Sequence, residues 1–159
     1  AGDDADAALA EGRRVYAFLP KVGGKKRVPR ELTSGPLFET EFKQQMKQVQ
    51  EAIAYFFTCF VRHGLDNTKF CGRIKPSWQP KPGGTIPKRN RDFAKQHNLW
   101  HVHIGPKFSG DIYGNMTSDL VIHFQWHESE PNKIRVLSIA KHYTDTEPKR
   151  FTLPTMAHI

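Results

Sequence analysis

The chain has 159 residues, room for one domain with tails, and its hydrophobic fraction of 38% includes 11 Phe and 3 Trp, enough large side chains for a core. No apolar run approaches the roughly 18 residues of a membrane helix, so no membrane partner is expected. The formal net charge is +8, and Asp3, Asp4, Asp6 and Glu11 put four acids and no base into residues 1–12, so the remainder carries +12 and favours polyanions, nucleic acid first.

Residues 1–12 read as an acidic flexible arm and residues 13–159 as a single basic domain. The first basic stretch, with Lys25, Lys26 and Arg27 after Gly23-Gly24, reads as an exposed loop able to hold phosphates. It also reads as the turn of a hairpin between Val15–Leu19 and a short return strand. From about Pro36 to His63, Phe38, Phe42, Met46, Val49, Ile53, Phe56 or Phe57, and Phe60 recur at three- and four-residue steps. This spacing predicts one long helix with an apolar face. Ser34 and Gly35 cap it, Pro36 suits its first position, and Arg62, His63 and Gly64 stop it.

Residues 64–98 are rich in Pro and Gly and read as a long cationic loop, in which Lys75, Lys88, Arg89 and Arg91 are candidate RNA contacts. Trp78 either stacks on an unpaired base or pins the loop to the core. Three strand-like segments follow. In Leu99–Ile104, apolar Trp100, Val102 and Ile104 alternate with His101 and His103; in Leu120–His127, apolar Leu120, Ile122, Phe124 and Trp126 alternate with His123, Gln125 and His127. The third, Ile134–Tyr143, offers Ser138, Ala140 and His142 on the face of Ile134 and Val136, and Lys141 and Tyr143 on the other. Which face turns inward stays open. A long helix and then a meander of strands imply an α+β fold, an antiparallel sheet with one apolar face on the helix.

The period of two gathers the histidines. The side of the first two strands opposite their apolar rows carries His101, His103, His123, Gln125 and His127, and the third strand adds His142, or Lys141 and Tyr143. Imidazoles beside cations suit a phosphodiester, since histidine gives or takes a proton near neutral pH and Lys or Arg stabilises phosphoryl charge. The candidate catalytic residues are therefore His101, His103, His123, Lys141, His142 and Tyr143, with Arg73 and His127 among the RNA contacts. Metal is the rival use: His101 and His103 lie about 6–7 Å apart by strand rise and could share zinc, whereas about 13 Å separates His123 from His127. No carboxylate or paired cysteine spacing completes such a set, so no metal and no cofactor is expected. Cys59 and Cys71 are too few for a disulfide scaffold and lack zinc-finger spacing, which points to reduced thiols and a cytoplasmic protein.

Four segments in order carry a family likeness: Gly64-Leu65-Asp66 leading to Phe70-Cys71-Gly72-Arg73; His101-Val102-His103-Ile104; Thr117-Ser118-Asp119 before Leu120-Val121-Ile122; and Val136-Leu137-Ser138-Ile139-Ala140. From about Phe60 to Pro148 the chain thereby resembles the YafO-type mRNA interferase toxins of type II toxin–antitoxin pairs, within the RelE-like group. The resemblance implies a RelE-like fold, cleavage of mRNA on the ribosome with inhibition of translation, and a cognate antitoxin. By position it matches Arg73, His101, His103 and Asp119 to the family's recurring polar residues. The Thr-Ser-Asp segment runs almost directly into its strand, and the insertion around Pro76–Arg91 and the N-terminal arm are longer than the family's. Two alternatives stand beside a metal-independent endoribonuclease. One is a non-catalytic RNA-binding regulator. The other is the tRNA- or RNA-cleaving module of a larger secreted effector, with an immunity protein as partner.

Overall fold

A computed structural model describes residues 15–16 and 28–159, and the candidate contacts Lys25, Lys26 and Arg27 lie outside the described residues. In chain order the elements are β1 (Val15–Tyr16), β2 (Glu31–Ser34), α1 (Phe38–Lys43), α2 (Lys47–His63), β3 (Ile74–Pro76), α3 (Lys88–Gln96), β4 (Leu99–His103), β5 (Leu120–Gln125) and β6 (Lys133–Lys141). A short 3-10 turn, Met156–His158, closes the chain. The class is α+β. The strands form one sheet in the order β1-β2-β6-β5-β4-β3. The expected meander is β4-β5-β6, antiparallel throughout, and β3 extends it antiparallel to β4. The sheet is nevertheless mixed rather than antiparallel, because β2 runs parallel to β6, with Leu32 beside Ile134. β1 pairs antiparallel with β2, Val15 beside Leu32.

The aromatic stripe of Pro36–His63 belongs to two helices, not one. Met46, extended at φ −60° and ψ 151°, separates them, and it is 71% exposed where the periodicity expects core. A broken helix leaves carbonyls without intrahelical donors. Here Gln45 Nε2 donates to the Glu41 carbonyl at 3.2 Å, and Gln50 Nε2 at 3.0 Å joins the Gln45 N–H at 3.1 Å on that of Phe42. α1 begins at Phe38 rather than at Pro36. The helices bury Phe38, Val49, Ile53, Phe56, Phe57 and Phe60 in the core cluster that holds Val102, Ile104, Ile122, Phe124, Ile134, Val136 and Ile139 of the sheet. Each such large side chain withdrawn from water contributes on the order of 1.5–3 kcal/mol.

The stretch read as a loop contains β3 and α3. Trp78 pins it: the indole meets Trp100 edge-on at 5.9 Å and packs on the second core cluster, in which Ala94 of α3 joins Leu99 and Leu137.

A bulge in β6 decides which face carries what. His123 pairs with Ser138 but Phe124 pairs with Val136, so Leu137 is an extra residue. Up to Val136 the even-numbered side chains join the helix-covered core; beyond the bulge it is Ile139 that does so. Ser138 and Ala140 consequently share the face of His123 and Val121. Past Ser34, no described strand lies on the outer edge of β6, and Glu41 of α1 covers it, its carboxylate accepting the Ile139 N–H at 3.1 Å and facing His158 Nε2 at 3.0 Å. No described helix is long and apolar enough to cross a membrane. Cys59 and Cys71 are free.

Candidate functional site

Register places Lys75, His101, His123 and Ser138 side by side across β3, β4, β5 and β6. His103 lies one step along β4, on the same face as His101. His142, just after β6, joins them, its N–H donating to the Asp119 carbonyl at 2.6 Å. The ring of His142 is 4.7 Å from that of His103 and 5.5 Å from that of His101, and the His101 and His123 rings are 6.0 Å apart. The predicted convergence is real, and it lies on the sheet face opposite the aromatic helices.

It is also largely sealed. Phe151 sits 4.9 Å from His101, 5.1 Å from His142 and 5.7 Å from His123, ring to ring, and β4 and β5 keep His101, His103 and His123 buried. His123 is 0% exposed, out of reach of a ribose–phosphate from solvent. Only His142 is half-buried, with Tyr143 exposed at its edge, 4.2 Å ring to ring. Arg73 and Lys75, both partly exposed, flank this mouth. Gly72 lets β3 come this close: a Cβ there would lie 1.9 Å from the His103 carbonyl oxygen.

Burial disfavours the imidazolium, and cations nearby add to that. Burial is the main cause throughout: it holds His101 well below the usual histidine range, His123 at about 3 and His142 at about 4. For His142 the neighbouring His103, Arg73, Lys75 and Lys81 push the same way. His103 is lowered too, against the opposing hydrogen bond to Ser118. Lys75 is lowered by burial first and by Arg73 second. At neutral pH these rings are uncharged.

Hydrogen bonds orient the rings. His101 Nδ1 is 2.9 Å from Ser77 Oγ. His103 Nδ1 either accepts the Ser118 N–H at 2.9 Å or, in the other tautomer, donates to the Ser118 carbonyl at 2.8 Å. Among the described residues its Nε2 is buried without a hydrogen-bond partner, as are both nitrogens of His123 and Ser138 Oγ. Among the described residues, His101, His103 and His142 each offer one nitrogen within 4.8 Å of the others.

Other sequence candidates lie elsewhere. Lys141 pairs in register with Leu120, on the helix-covered side, and its ammonium meets Asp145 at 2.7 Å. His127 is past the end of β5, held by Ser129 at 2.6 Å, and lines a groove of about 550 Å³ with Asn98, Gln125, Trp126 and Arg135. Lys88, Arg89 and Arg91 are exposed on α3, with Lys88 ion-paired to Asp92. Asp119 is exposed and serves the cluster through its carbonyl. Sequence reasoning missed Ser77, Ser118 and Phe151 as site residues. The first two hold the rings from neighbouring segments, and Phe151 follows a run of polar residues; no local pattern marks any of them.

The chain matches no family model, no curated protein and no solved structure.

Proposed function

We propose that the protein is a metal-independent endoribonuclease toxin, a RelE-like domain that cleaves mRNA at the ribosome and inhibits translation. The observation carrying this reading is the uncharged, half-buried imidazole of His142 at a mouth flanked by Arg73, Lys75 and Tyr143. The neutral ring has a free lone pair for a proton, and the negative charge of a bound phosphodiester opposes the burial that lowers its basicity. In this mechanism His142 removes the proton from a ribose 2′-hydroxyl, and the 2′-oxygen attacks the adjacent phosphorus. Arg73 stabilises the phosphoryl oxygens. The bond to the 5′-oxygen breaks, and Lys75, whose lowered pKa makes it a better acid than an ordinary lysine, protonates the leaving oxygen. The products are a 2′,3′-cyclic phosphate and a 5′-hydroxyl end. His101, His103 and His123 shape and desolvate the floor, and Tyr143 offers a ring for a flanking base.

The basic charge supports docking on ribosomal RNA, and a cognate antitoxin or immunity protein would cover the same mouth. RNA incubated with the protein in EDTA tests the chemistry: cyclic-phosphate ends are expected, and a His142→Ala chain that cleaves as the wild type does removes His142 from it. The burial of three of the four imidazoles favours a second reading, a non-catalytic RNA-binding regulator. That reading predicts bound, intact RNA in the same assay.

A further inference from the structure

We propose that His101, His103 and His142 form a three-imidazole site for one divalent transition-metal ion of the zinc class. The site does not depend on the nuclease reading. Three ring nitrogens, one from each residue, lie within 4.8 Å of one another. Tetrahedral zinc, with bonds of about 2.0–2.1 Å to nitrogen, holds its ligands about 3.3 Å apart. Closing the set therefore asks each nitrogen to move inward by about 1 Å or less. His142, which follows the last strand and is half-buried, has the freedom to make most of that movement.

The supporting shell is already built. Histidine ligands are held by a hydrogen bond from the second ring nitrogen, which fixes the tautomer. Ser77 Oγ stands 2.9 Å from His101 Nδ1 and the Ser118 carbonyl 2.8 Å from His103 Nδ1. With its proton on Nδ1, His103 presents a lone pair on Nε2, an atom buried without a hydrogen-bond partner among the described residues. A metal ion satisfies that orphaned atom where no described group does. Arg73 and Lys75 oppose a bare divalent charge, so the fourth position suits an anion, chloride or hydroxide, at the open side near Tyr143. Neutral nitrogen donors without a carboxylate select zinc, cobalt, nickel or copper over magnesium and calcium.

The test is a titration of the metal-stripped full chain with cobalt(II) chloride. The expected result is one equivalent bound, the intense visible absorption of a four-coordinate ion, displacement by zinc and no competition by magnesium. Hyperfine-shifted imidazole N–H signals in the proton spectrum of the cobalt-loaded wild type should come from two or three histidine ligands, a count that needs no variant. Ser77→Ala should weaken binding about tenfold through the lost support of His101, and His142→Gln by more than that. His127→Ala, outside the cluster, should bind as the wild type does.

No absorption from the folded wild type, or equal affinity in a folded His142→Gln chain, overturns the site. RNA cleavage is read separately, on the metal-stripped chain in EDTA. Cobalt bound by a chain that cleaves nothing removes the nuclease and keeps the metal site, and cleavage without cobalt binding does the reverse.

Discussion

Consider His123→Leu beside the wild-type chain, both in EDTA, as the pH falls from about 7 to about 5. The His123 ring is fully buried, and burial holds its pKa at about 3, against about 6.5 for an exposed imidazole. The folded pKa lies below the unfolded one. The stability that the neutral ring allows is therefore whole above about 6.5, and it is lost as the pH falls from there towards about 3, because the unfolded chain binds a proton that the folded chain refuses. Each pH unit in that window costs about 1.4 kcal/mol, and the interval from about 7 to 5 costs about 2 kcal/mol from this ring alone. His101, His103 and His142 shift in the same direction, so the wild-type loss is larger still. Leucine is close to histidine in volume and has no nitrogen to leave unpaired. Urea unfolding followed by tryptophan fluorescence at a series of pH values gives both curves. The wild type should lose about 2 kcal/mol more than His123→Leu over this interval. Parallel curves would refute the argument, since they would mean that the ring titrates alike in both states or reaches solvent.

If the nuclease reading and the metal site are both correct, bound zinc occupies the lone pair that His142 uses, so zinc should halt cleavage and EDTA restore it; an EDTA-sensitive nuclease contradicts this. His142→Ala should lower the cleavage rate about 10²–10⁴-fold in a time course on labelled RNA while leaving the melting transition cooperative. Gly72→Ala forces a methyl against the His103 carbonyl and should cost more than about 2 kcal/mol or prevent folding, read by thermal melting. Glu41→Ala strips the acceptor from the Ile139 N–H and from His158, and should cost about 1–3 kcal/mol in the same urea assay.

Elements governed by local periodicity were legible in the sequence. The alternation in Leu99–Ile104 and Leu120–His127 marked β4 and β5 and put His101, His103 and His123 on one face. The break at Met46 was invisible because the apolar spacing Phe42-Met46-Val49 stays helical across it, and the groups that stabilise it, Gln45 and Gln50, resemble any polar helix surface. The parallel pairing of β2 with β6 joins segments about a hundred residues apart, and neither strand records its neighbour. α3 hides in a Pro-rich stretch because Pro87 precedes it and its one buried residue is Ala94. For the site, alternation shows which residues share a face but not how deep they lie. Burial came from Phe151 and the C-terminal segment, which makes the accessible group His142 rather than His123.

Leu137 has a consequence out of proportion to one residue. It shifts the phase of the chain by half a repeat, so that everything after it, including His142, is delivered to the opposite side of the sheet from where a regular strand would send it. With Leu137 taken into the ladder as a regular member, Ser138 would face the helices, Ile139 and Lys141 would face the imidazoles and His142 would turn away from them, whereas removing Leu137 leaves Ser138 beside His123 and His142 with the cluster. A straightened bulge would leave every residue in place in the sequence while the cluster came apart: here the placement of a ring depends on a backbone irregularity several residues away.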